Sequence, residues 1–350
     1  MQAALRLARR GIGSVEPNPA VGAVIVKGGQ VIGRGWHKEF GGPHAEINAL
    51  KNCKKSPRGA TMYVTLEPCC HYGKTPPCTK AIIKAGIKKI IAATKDPTKK
   101  VNGKGFKILE RAGIEIKIGI CKKEAEKLNA PFLKFARTKR PWVIIKWAQS
   151  KDGFLARTDK KRWITNQKSR SDVHKLRRRV RAILVGINTI LEDDPLLTVR
   201  PNIERQPVRV VLDSKLRIPI DCKLIKTAKK TPVIVFATDK NNKKTPQLRK
   251  KGADVIKIRA DAGKCDVKAV LKKLAERDIQ QILVEGGKEV ITSFLKRKLA
   301  DEIVIYTSNE TIAENGKVKA SQIMEKTYNR LKKNCYDKKL FGKDVRLKGV

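Results

Sequence analysis

The sequence predicts an α/β protein with two domains. The chain has 350 residues, which is more than a single hydrophobic core usually serves. Short apolar runs alternate with segments whose apolar residues recur at helical spacing, and this alternation favours layered domains built on a largely parallel sheet. The pattern restarts after Thr138–Pro141. We therefore predict a linker there and two domains, residues 1–140 and 141–350.

Strand and helix signals alternate through the first domain. Gly28 and Gly29 predict a hairpin turn, Pro43 precedes a helix start, and Gly86 follows a helix end. The predicted strands are Val21–Val26, Val31–Gly33, Thr61–Leu66, Lys89–Ala93 and Ile114–Ile118. The predicted helices are Gln2–Arg10, His44–Lys51, Thr79–Ala85, Gly105–Ala112 and Lys123–Phe135.

The second domain begins a new α/β pattern that weakens after Thr307, where Lys and Asn dominate. Apolar runs mark the strands, and helical periodicity is clearest in two segments. The predicted strands are Trp142–Trp147, Ala182–Val185, Val208–Leu212, Val233–Phe236, Gln281–Val284 and Glu302–Tyr306. The two clearest predicted helices are Gln167–Arg179 and Val267–Glu276.

Composition excludes several classes of protein. Hydrophobic residues make up 41% of the chain, too many for a disordered protein. The apolar runs are far shorter than the roughly 18–20 residues that span a bilayer, and Arg6, Arg9 and Arg10 interrupt the only candidate signal peptide. Eight cysteines without a secretory signal favour metal or catalytic thiols in a reducing compartment. We expect a cytoplasmic protein with no membrane partner.

Charge is the unusual feature of the composition. The chain has 79 Lys and Arg against 33 Asp and Glu, a formal net charge of +46. A polyanionic partner such as nucleic acid is one explanation. However, residues 1–140 hold 29 basic and 9 acidic side chains and residues 141–350 hold 50 and 24, so neither part forms a basic arm. We favour a solvated, lysine-rich surface and expect no specific nucleic-acid partner.

A short pattern in the first domain predicts a zinc site. His44 and Glu46 begin a predicted helix, and Cys69 and Cys78 bound a loop rich in Pro and Cys. One His and two Cys leave a coordination position open for water, as in catalytic zinc sites. Glu46 can then carry protons between water and a leaving amine. His-x-Glu followed by Pro-Cys and a second Cys is typical of zinc deaminases of bases, although eight residues, not two, separate the cysteines here.

A structural zinc site is the alternative, with Cys70 or His71 as a fourth ligand. Cys70 directly follows Cys69 and is expected to point elsewhere. His71 fits better as a contact to an anionic substrate. We therefore predict that neither residue binds the metal.

Three segments carry a resemblance to a known family. Thr65–Cys78 (TLEPCCHYGKTPPC), Pro17–Gly22 and Gly41–Glu46 resemble the bifunctional riboflavin-biosynthesis deaminase–reductases, and the similarity covers residues 1–305. The resemblance implies an N-terminal cytidine-deaminase-like domain with three α/β/α layers, followed by a dihydrofolate-reductase-like α/β domain that uses NADPH. It also implies a homo-oligomer, a dimer or a tetramer.

The resemblance implies roles in the first domain. The substrate would be 2,5-diamino-6-ribosylamino-4(3H)-pyrimidinone 5′-phosphate, deaminated with Glu46 as the catalytic proton shuttle. Asn18 would contact the base. Lys74 would lie near the ribose and phosphate, although a plain surface lysine is also compatible with the sequence. The implied zinc ligands are His44, Cys69 and Cys78, and the implied ribose and phosphate contacts are His37, His71 and Lys74.

Roles in the second domain follow in the same way. Glu285-Gly286-Gly287 follows a predicted strand, and glycines there let backbone amides approach a pyrophosphate. Arg200 would clamp a phosphate, since guanidinium binds phosphate in a bidentate manner. The implied NADPH contacts are Ala148, Trp163, Thr189, Asp193, Ser214 and Gly287. The implied contacts to the phosphoribosyl-pyrimidine substrate are Lys146, Leu197, Arg200 and Glu285.

The second domain also departs from the family pattern. The unusual residues are Trp147, Gln149, Lys151 and Lys161, and the segment after Tyr306 is not recognisable until Gly342–Val345, which resembles the family's terminal strand. A deaminase with an impaired reductase half is therefore one alternative function. A nucleic-acid base deaminase and a basic RNA-binding protein with structural zinc are two others.

Overall fold

The computed structural model describes residues 1–159, 161, 163–201, 205–239 and 243–350. The chain divides into two compact units, Met1–Arg140 and Pro141–Val350, and the division falls in the segment Thr138–Pro141. No helix among the described residues is both long and apolar enough to cross a bilayer.

The first unit, which is described in full, forms a five-stranded sheet. Its strands are β1 (Gly22–Lys27), β2 (Gln30–Trp36), β3 (Thr61–Val64), β4 (Lys89–Ala92) and β5 (Glu115–Ile118). Its helices are α1 (Gln2–Ala8), α2 (Ala45–Lys51), α3 (Cys78–Lys84), α4 (Lys104–Arg111), α5 (Lys122–Leu128) and α6 (Ala130–Thr138).

The sheet of the first unit has the order β2-β1-β3-β4-β5. Gly28 and Gly29 have φ values of +55° and +73°, which suit the tight turn of the predicted hairpin between β1 and β2. β1 pairs antiparallel with both β2 and β3, and only β3–β4 and β4–β5 are parallel. The prediction of a largely parallel sheet was therefore wrong for this unit, because the hairpin reverses the first strands.

Helices cover both faces of this sheet, which gives the predicted three layers. Two glycines allow their close approach. A Cβ on Gly22 would lie 2.1 Å from the carbonyl oxygen of Ala4 in α1, and a Cβ on Gly35 would lie 2.2 Å from the amide nitrogen of Ala49 in α2. Gly22 and Ala23 are adjacent in β1 and so face opposite sides of the sheet. Gly35 pairs with Ala23, and this places α1 and α2 on opposite faces.

The single helix predicted over Lys123–Phe135 is wrong, since the chain forms α5 and α6 with a break at Asn129. The Asn129 side chain is buried. Its Oδ1 accepts from the Ala20 amide at 2.8 Å, and its Nδ2 donates to the Ala20 carbonyl at 2.9 Å. Pro131 lies in the first turn of α6, where its missing N–H costs nothing. A tertiary contact that local periodicity cannot show thus interrupts the helix.

The second unit is built on a nine-stranded sheet. Its described strands are β6 (Trp142–Gln149), β7 (Phe154–Arg157), β8 (Ala182–Gly186), β9 (Val208–Leu212), β10 (Val233–Ala237), β11 (Ala253–Lys257), β12 (Ala260–Asp261), β13 (Lys264–Cys265), β14 (Gln281–Val284), β15 (Glu302–Thr307), β16 (Gly316–Lys319), β17 (Asp337–Phe341) and β18 (Asp344–Gly349). Its described helices are α7 (Gln167–Arg179), α8 (Ile187–Asp193), α9 (Lys223–Lys226), α10 (Thr245–Lys250), α11 (Val267–Ala275), α12 (Lys288–Lys296) and α13 (Gln322–Asn334).

The large sheet has the order β11-β10-β9-β8-β14-β6-β15-β18-β17. The pairings from β11 to β15 are all parallel, and β18 joins β15 and β17 antiparallel. Apolar residues from both faces of the sheet form the two cores of this unit. Because the central strands are parallel, the carboxyl ends of β6, β14, β8 and β9 lie along one edge. Ligands of open α/β sheets bind at such edges.

Candidate functional site

Three potential metal ligands meet in the first unit. His44 precedes α2, Cys78 begins α3, and Cys69 lies in the loop after β3. The His44 Nδ1 atom is 3.4 Å from the Cys69 Sγ and 3.3 Å from the Cys78 Sγ, and all three ligand atoms lie within 4.8 Å of one another. Two helix starts and a strand end thus bring together residues that are up to 34 positions apart.

This group fits zinc. Zn–S and Zn–N bonds of about 2.3 and 2.0–2.1 Å in a tetrahedron place a sulfur and a nitrogen ligand about 3.6 Å apart, close to the observed separations. The hydrogen bond between Cys69 and the Cys78 thiol, together with one to His44, outweighs burial and lowers the pKa of the Cys69 thiol. The thiolate is the form that binds a metal.

Glu46 lies in the first turn of α2, beside this group, and is only 3% exposed. Burial and the nearby Cys69 raise the pKa of Glu46 to about 7, and a bound cation would oppose that rise. The carboxyl is also within hydrogen-bonding reach of the Cys78 thiol. A buried carboxyl that exchanges its proton near neutral pH is suited to general acid–base catalysis.

The two other candidate ligands lie apart from the group. Cys70 directs its Sγ toward the carbonyl oxygen of Lys100 at 3.7 Å. His71 is half-buried, and its Nδ1 has no hydrogen-bond partner among the described residues. Neither joins the three ligand atoms, and their exclusion as ligands stays a prediction.

Asn18 and His37 lie together beside the predicted metal centre. The Asn18 Nδ2 is 3.1 Å from the His37 Nε2, and the His37 Nδ1 is 3.1 Å from the Pro43 carbonyl oxygen. The His37 ring meets the His44 ring edge-on at 5.1 Å. His37 is 2% exposed, and burial lowers its pKa. Lys74 is exposed, and its ammonium lies 4.1 Å from the centre of the Phe40 ring.

Glu67 has a structural role that the sequence motif did not reveal. Its carboxylate accepts hydrogen bonds from the backbone amides of Asp96, Gly103 and Gly105, at 3.2, 2.9 and 3.0 Å. A Cβ on Gly105 would lie 2.2 Å from the Pro68 carbonyl oxygen. Glu67 therefore anchors the loop that carries Cys69 against the start of α4.

The second unit has a cleft of about 1120 Å³ at the carboxyl edge of its sheet. All ten residues that the resemblance assigns to NADPH or substrate in this unit line the cleft. They are Lys146, Ala148, Trp163, Thr189, Asp193, Leu197, Arg200, Ser214, Glu285 and Gly287. The structure thus brings together residues that are up to 141 positions apart.

A buried ion pair lies at one end of the cleft. Arg177, on α7, contacts the Glu285 carboxylate at 2.6 Å and donates to the Thr198 carbonyl at 3.2 Å. Burial acts to raise the pKa of Glu285, but Arg177 and Lys146 outweigh it and lower the pKa. Burial lowers the pKa of Lys146, although Glu285 opposes this. Sequence reasoning missed Arg177, because it is one of three consecutive arginines and only the fold shows which one points inward.

Four other cleft residues differ in their exposure, backbone conformation and neighbouring groups. Leu197 is buried with a φ of +50°, and the Arg200 amide donates to the His174 Nδ1 at 3.2 Å. Trp163 is 52% exposed. A Cβ on Gly287 would meet no atom within 4 Å, so the space before α12 is open to a ligand.

Two of the residues that depart from the family pattern form a pair. Trp147 is buried and lines the cleft, and its Nε1 donates to the Gln149 Oε1 at 2.7 Å. The Trp147 indole N–H is thus satisfied by the second unusual residue. Lys161 is exposed, with its Nζ 3.9 Å from the Glu310 carboxylate.

Comparison with family models matches both units. Residues 1–94 match the cytidine and deoxycytidylate deaminase zinc-binding region, and residues 141–333 match the RibD C-terminal domain. The riboflavin biosynthesis protein RibD of Aquifex aeolicus is 45% identical over 317 residues, which cover 90% of this chain and 87% of the relative. The protein of the same name from Escherichia coli is 37% identical over 333 residues, covering 91% and 89%.

Solved structures show the same relationship. A RibD structure from Acinetobacter baumannii (form 1) superposes with a TM-score of 0.88 and 38% identity, covering 99% of this chain and 96% of that chain. A Thermotoga maritima structure, titled as a diaminohydroxyphosphoribosylaminopyrimidine deaminase/5-amino-6-(5-phosphoribosylamino)uracil reductase, has a TM-score of 0.85, 35% identity and the same coverage.

Proposed function

The chain belongs to the RibD family of riboflavin-biosynthesis proteins, and from this premise we propose that residues 1–140 carry the deaminase and residues 141–350 the reductase. The enzyme is bifunctional, with a zinc-dependent deaminase and an NADPH-dependent reductase. The observation that supports this division best is the placement of His44, Cys69, Cys78 and a buried Glu46 in the first unit.

We assign the substrates from the name of the Thermotoga maritima relative. In the first reaction water adds to the pyrimidine carbon that bears the 2-amino group, the C–N bond breaks, and ammonia leaves. In the second reaction the ribosyl group of 5-amino-6-(5-phosphoribosylamino)uracil is reduced to ribityl, at the expense of NADPH. Both substrates are anionic, and the positive charge of the chain favours their approach.

In the deaminase, His44, Cys69 and Cys78 hold the metal. A zinc ion bound there would supply Lewis-acid activation of water at neutral pH. Glu46 takes a proton from the attacking water and delivers it to the departing 2-amino nitrogen. This transfer suits a carboxyl that is buried beside the metal ligands, within hydrogen-bonding reach of the Cys78 thiol. Asn18 binds the pyrimidinone, and His71 and Lys74 approach the ribose phosphate.

In the reductase, Lys146 and Glu285 contact the sugar, Leu197 packs against the substrate, and Arg200 binds its phosphate. NADPH supplies the hydride. The open space at Gly287 would leave room for the pyrophosphate, and the amide groups at the start of α12 would donate hydrogen bonds to it. The remaining proposed NADPH contacts are Ala148, Trp163, Thr189, Asp193 and Ser214.

A coupled assay tests the two activities. We expect the purified protein to release ammonia from the diaminopyrimidinone and then to oxidise NADPH in equal amount. A zinc chelator should abolish ammonia release, and added Zn²⁺ should restore it, because the three ligands lie in the deaminase unit. NADPH oxidation with the uracil intermediate supplied directly should not respond to the chelator. Ammonia release that survives complete removal of zinc would contradict the deaminase proposal, and failure to oxidise NADPH would indicate an impaired reductase.

We propose that the chain has no specific nucleic-acid partner, since its basic residues are spread over both halves of the sequence. A chain with a net charge of +46 should still bind RNA nonspecifically. We expect this affinity to fall at least about tenfold between 50 and 200 mM salt, as counterion release requires. Fluorescence anisotropy with an unrelated oligonucleotide measures it. Affinity that does not change with salt, or deamination of the oligonucleotide, would contradict the proposal.

We further propose a cytoplasmic location and a homo-oligomer. The eight cysteines all lie in the described part of the chain and are free thiols, which suits a reducing compartment. The oligomer, a dimer or a tetramer, rests on the family resemblance. Light scattering after size-exclusion chromatography measures it directly.

A further inference from the structure

The hydrogen bonds of His37 fix the roles of its two ring nitrogens. The Nδ1 is 3.1 Å from the Pro43 carbonyl oxygen. A carbonyl oxygen can only accept, so Nδ1 must carry a proton and donate it. In the neutral ring Nε2 is then an acceptor, and it lies 3.1 Å from the Asn18 Nδ2. The Asn18 amide therefore donates to His37.

This arrangement determines which way the Asn18 amide faces. With its NH₂ group held by His37, its Oδ1 points away from the ring. No described residue donates to that oxygen. Asn18 thus presents a hydrogen-bond acceptor beside the predicted metal centre. The link is His37, whose ring contacts the ring of the predicted ligand His44. If the amide were free to rotate, it would present a donor as readily as an acceptor.

The surroundings hold His37 rigidly. Its ring is 2% exposed, and its backbone amide donates to the Val21 carbonyl at 2.9 Å. A Cβ on Gly11 would lie 2.5 Å from the His37 carbonyl oxygen, so the backbone on that side is closely packed. Both ring nitrogens are occupied by protein groups, which leaves neither available to a ribose or a phosphate.

We propose that His37 is a positioning residue that fixes the Asn18 amide with Oδ1 toward the substrate. The deaminase pocket is then selective for a base that offers an N–H donor at that edge, as a diaminopyrimidinone does. This inference rests on the proposed deaminase function. It assigns to His37 an action through Asn18, in place of direct contact with the ribose or phosphate.

A double-mutant cycle tests the proposal. The variants are His37→Leu, Asn18→Ala and the two combined, and kcat and KM for ammonia release are measured in zinc-loaded protein. We expect His37→Leu alone to lower kcat/KM about tenfold, mainly through KM, and to change it less than about twofold when Asn18 is already alanine. His37→Gln, which keeps both a donor and an acceptor, should recover part of the loss.

Asn48→Ala is the matched control. The Asn48 Nδ2 donates to the same Pro43 carbonyl at 3.1 Å but has no bond to Asn18. The effects of Asn48→Ala and Asn18→Ala on the free energy that corresponds to kcat/KM should therefore be additive. Equal effects of His37→Leu in both backgrounds would overturn the proposal. Loss of zinc in His37→Leu would also overturn it, since His37 would then support His44.

The cycle is also measured as the dissociation constant of the pyrimidinone substrate in the Glu46→Gln background, where turnover is slow. The same coupling between His37 and Asn18 is expected in binding. If wild-type protein releases no ammonia while the binding cycle shows coupling, the deaminase function is refuted and the role of His37 stands. Additive binding effects would refute the role of His37 even if the protein is a deaminase.

Discussion

Replacing Glu46 with glutamine is expected to lower kcat for deamination by at least about 100-fold while zinc remains bound. Glutamine has nearly the same shape as glutamate, but its amide cannot take up and release a proton near neutral pH. The three ligand atoms belong to His44, Cys69 and Cys78, so the metal site keeps its full donor set. The loss should therefore appear in catalysis and not in metal content.

Three measurements on Glu46→Gln separate these effects. Ammonia release gives kcat, metal analysis gives the zinc content, and NADPH oxidation with the uracil intermediate reports on the second unit. Glu110→Gln is the control, since Glu110 is an exposed residue at the end of α4 and should leave all three unchanged. Near-normal ammonia release from Glu46→Gln would exclude Glu46 as the proton shuttle.

The zinc group was predictable from sequence because its signals are local. His44 and Glu46 are two residues apart at a helix start, and Cys69 and Cys78 bound one loop. The ligand types and the spacing are enough to suggest the metal and the chemistry. The three ligands then come together once helices α2 and α3 pack against the sheet that contains β3.

Residues that act through tertiary contacts could not be found in this way. Arg177 is one of three successive arginines on α7, and only its packing against Glu285 distinguishes it. Glu67 belongs to the zinc motif, yet its bonds to the 96–105 segment depend on how α4 approaches it. The break at Asn129 depends on Ala20, which is 109 positions away. Neither periodicity nor spacing contains this information.

Strand β17 shows a second reason why the sequence does not predict every strand. β17 carries two adjacent lysines and only one strongly apolar pair, Leu340 and Phe341. It forms the edge of the large sheet, where charged residues protect against unwanted strand pairing. Its composition therefore reflects its edge position, and the continuous apolar run that marks the inner strands is absent.

Replacing Arg177 with methionine is expected to lower the free energy of unfolding of the protein by about 3–5 kcal/mol. Arg177 and Glu285 have side chains only 16% and 7% exposed. Methionine would leave the Glu285 carboxylate buried, with Lys146 and His174 as its remaining basic neighbours among the described residues. The 2.6 Å ion pair and the bond to the Thr198 carbonyl would both be lost. Denaturant unfolding measures the change. Lys273→Met in α11, which breaks an exposed pair with Glu276 just after that helix, should cost at most about 1 kcal/mol.

The loss of unfolding free energy in Arg177→Met should depend on pH in a definite direction. The folded protein holds the pKa of Glu285 below its usual value. A carboxyl with a lowered pKa contributes stability that is fully present above its ordinary value of about 4.3 and that is lost as the pH falls through the lowered value. The difference between wild type and Arg177→Met should therefore be largest near neutral pH and shrink in acid. A difference that grows in acid would contradict the ion pair as its cause.

A double variant separates stability from function at this pair. Adding Glu285→Gln to Arg177→Met removes the uncompensated charge, so stability should return toward that of the wild type, because a buried pair replaced by neutral groups often costs little. The reductase should not recover, since the proposed contact of Glu285 with substrate is also removed. NADPH oxidation with the uracil intermediate measures this. Recovery of both properties would mean that Arg177 and Glu285 only stabilise the fold, whereas recovery of stability alone places the pair in the reductase site.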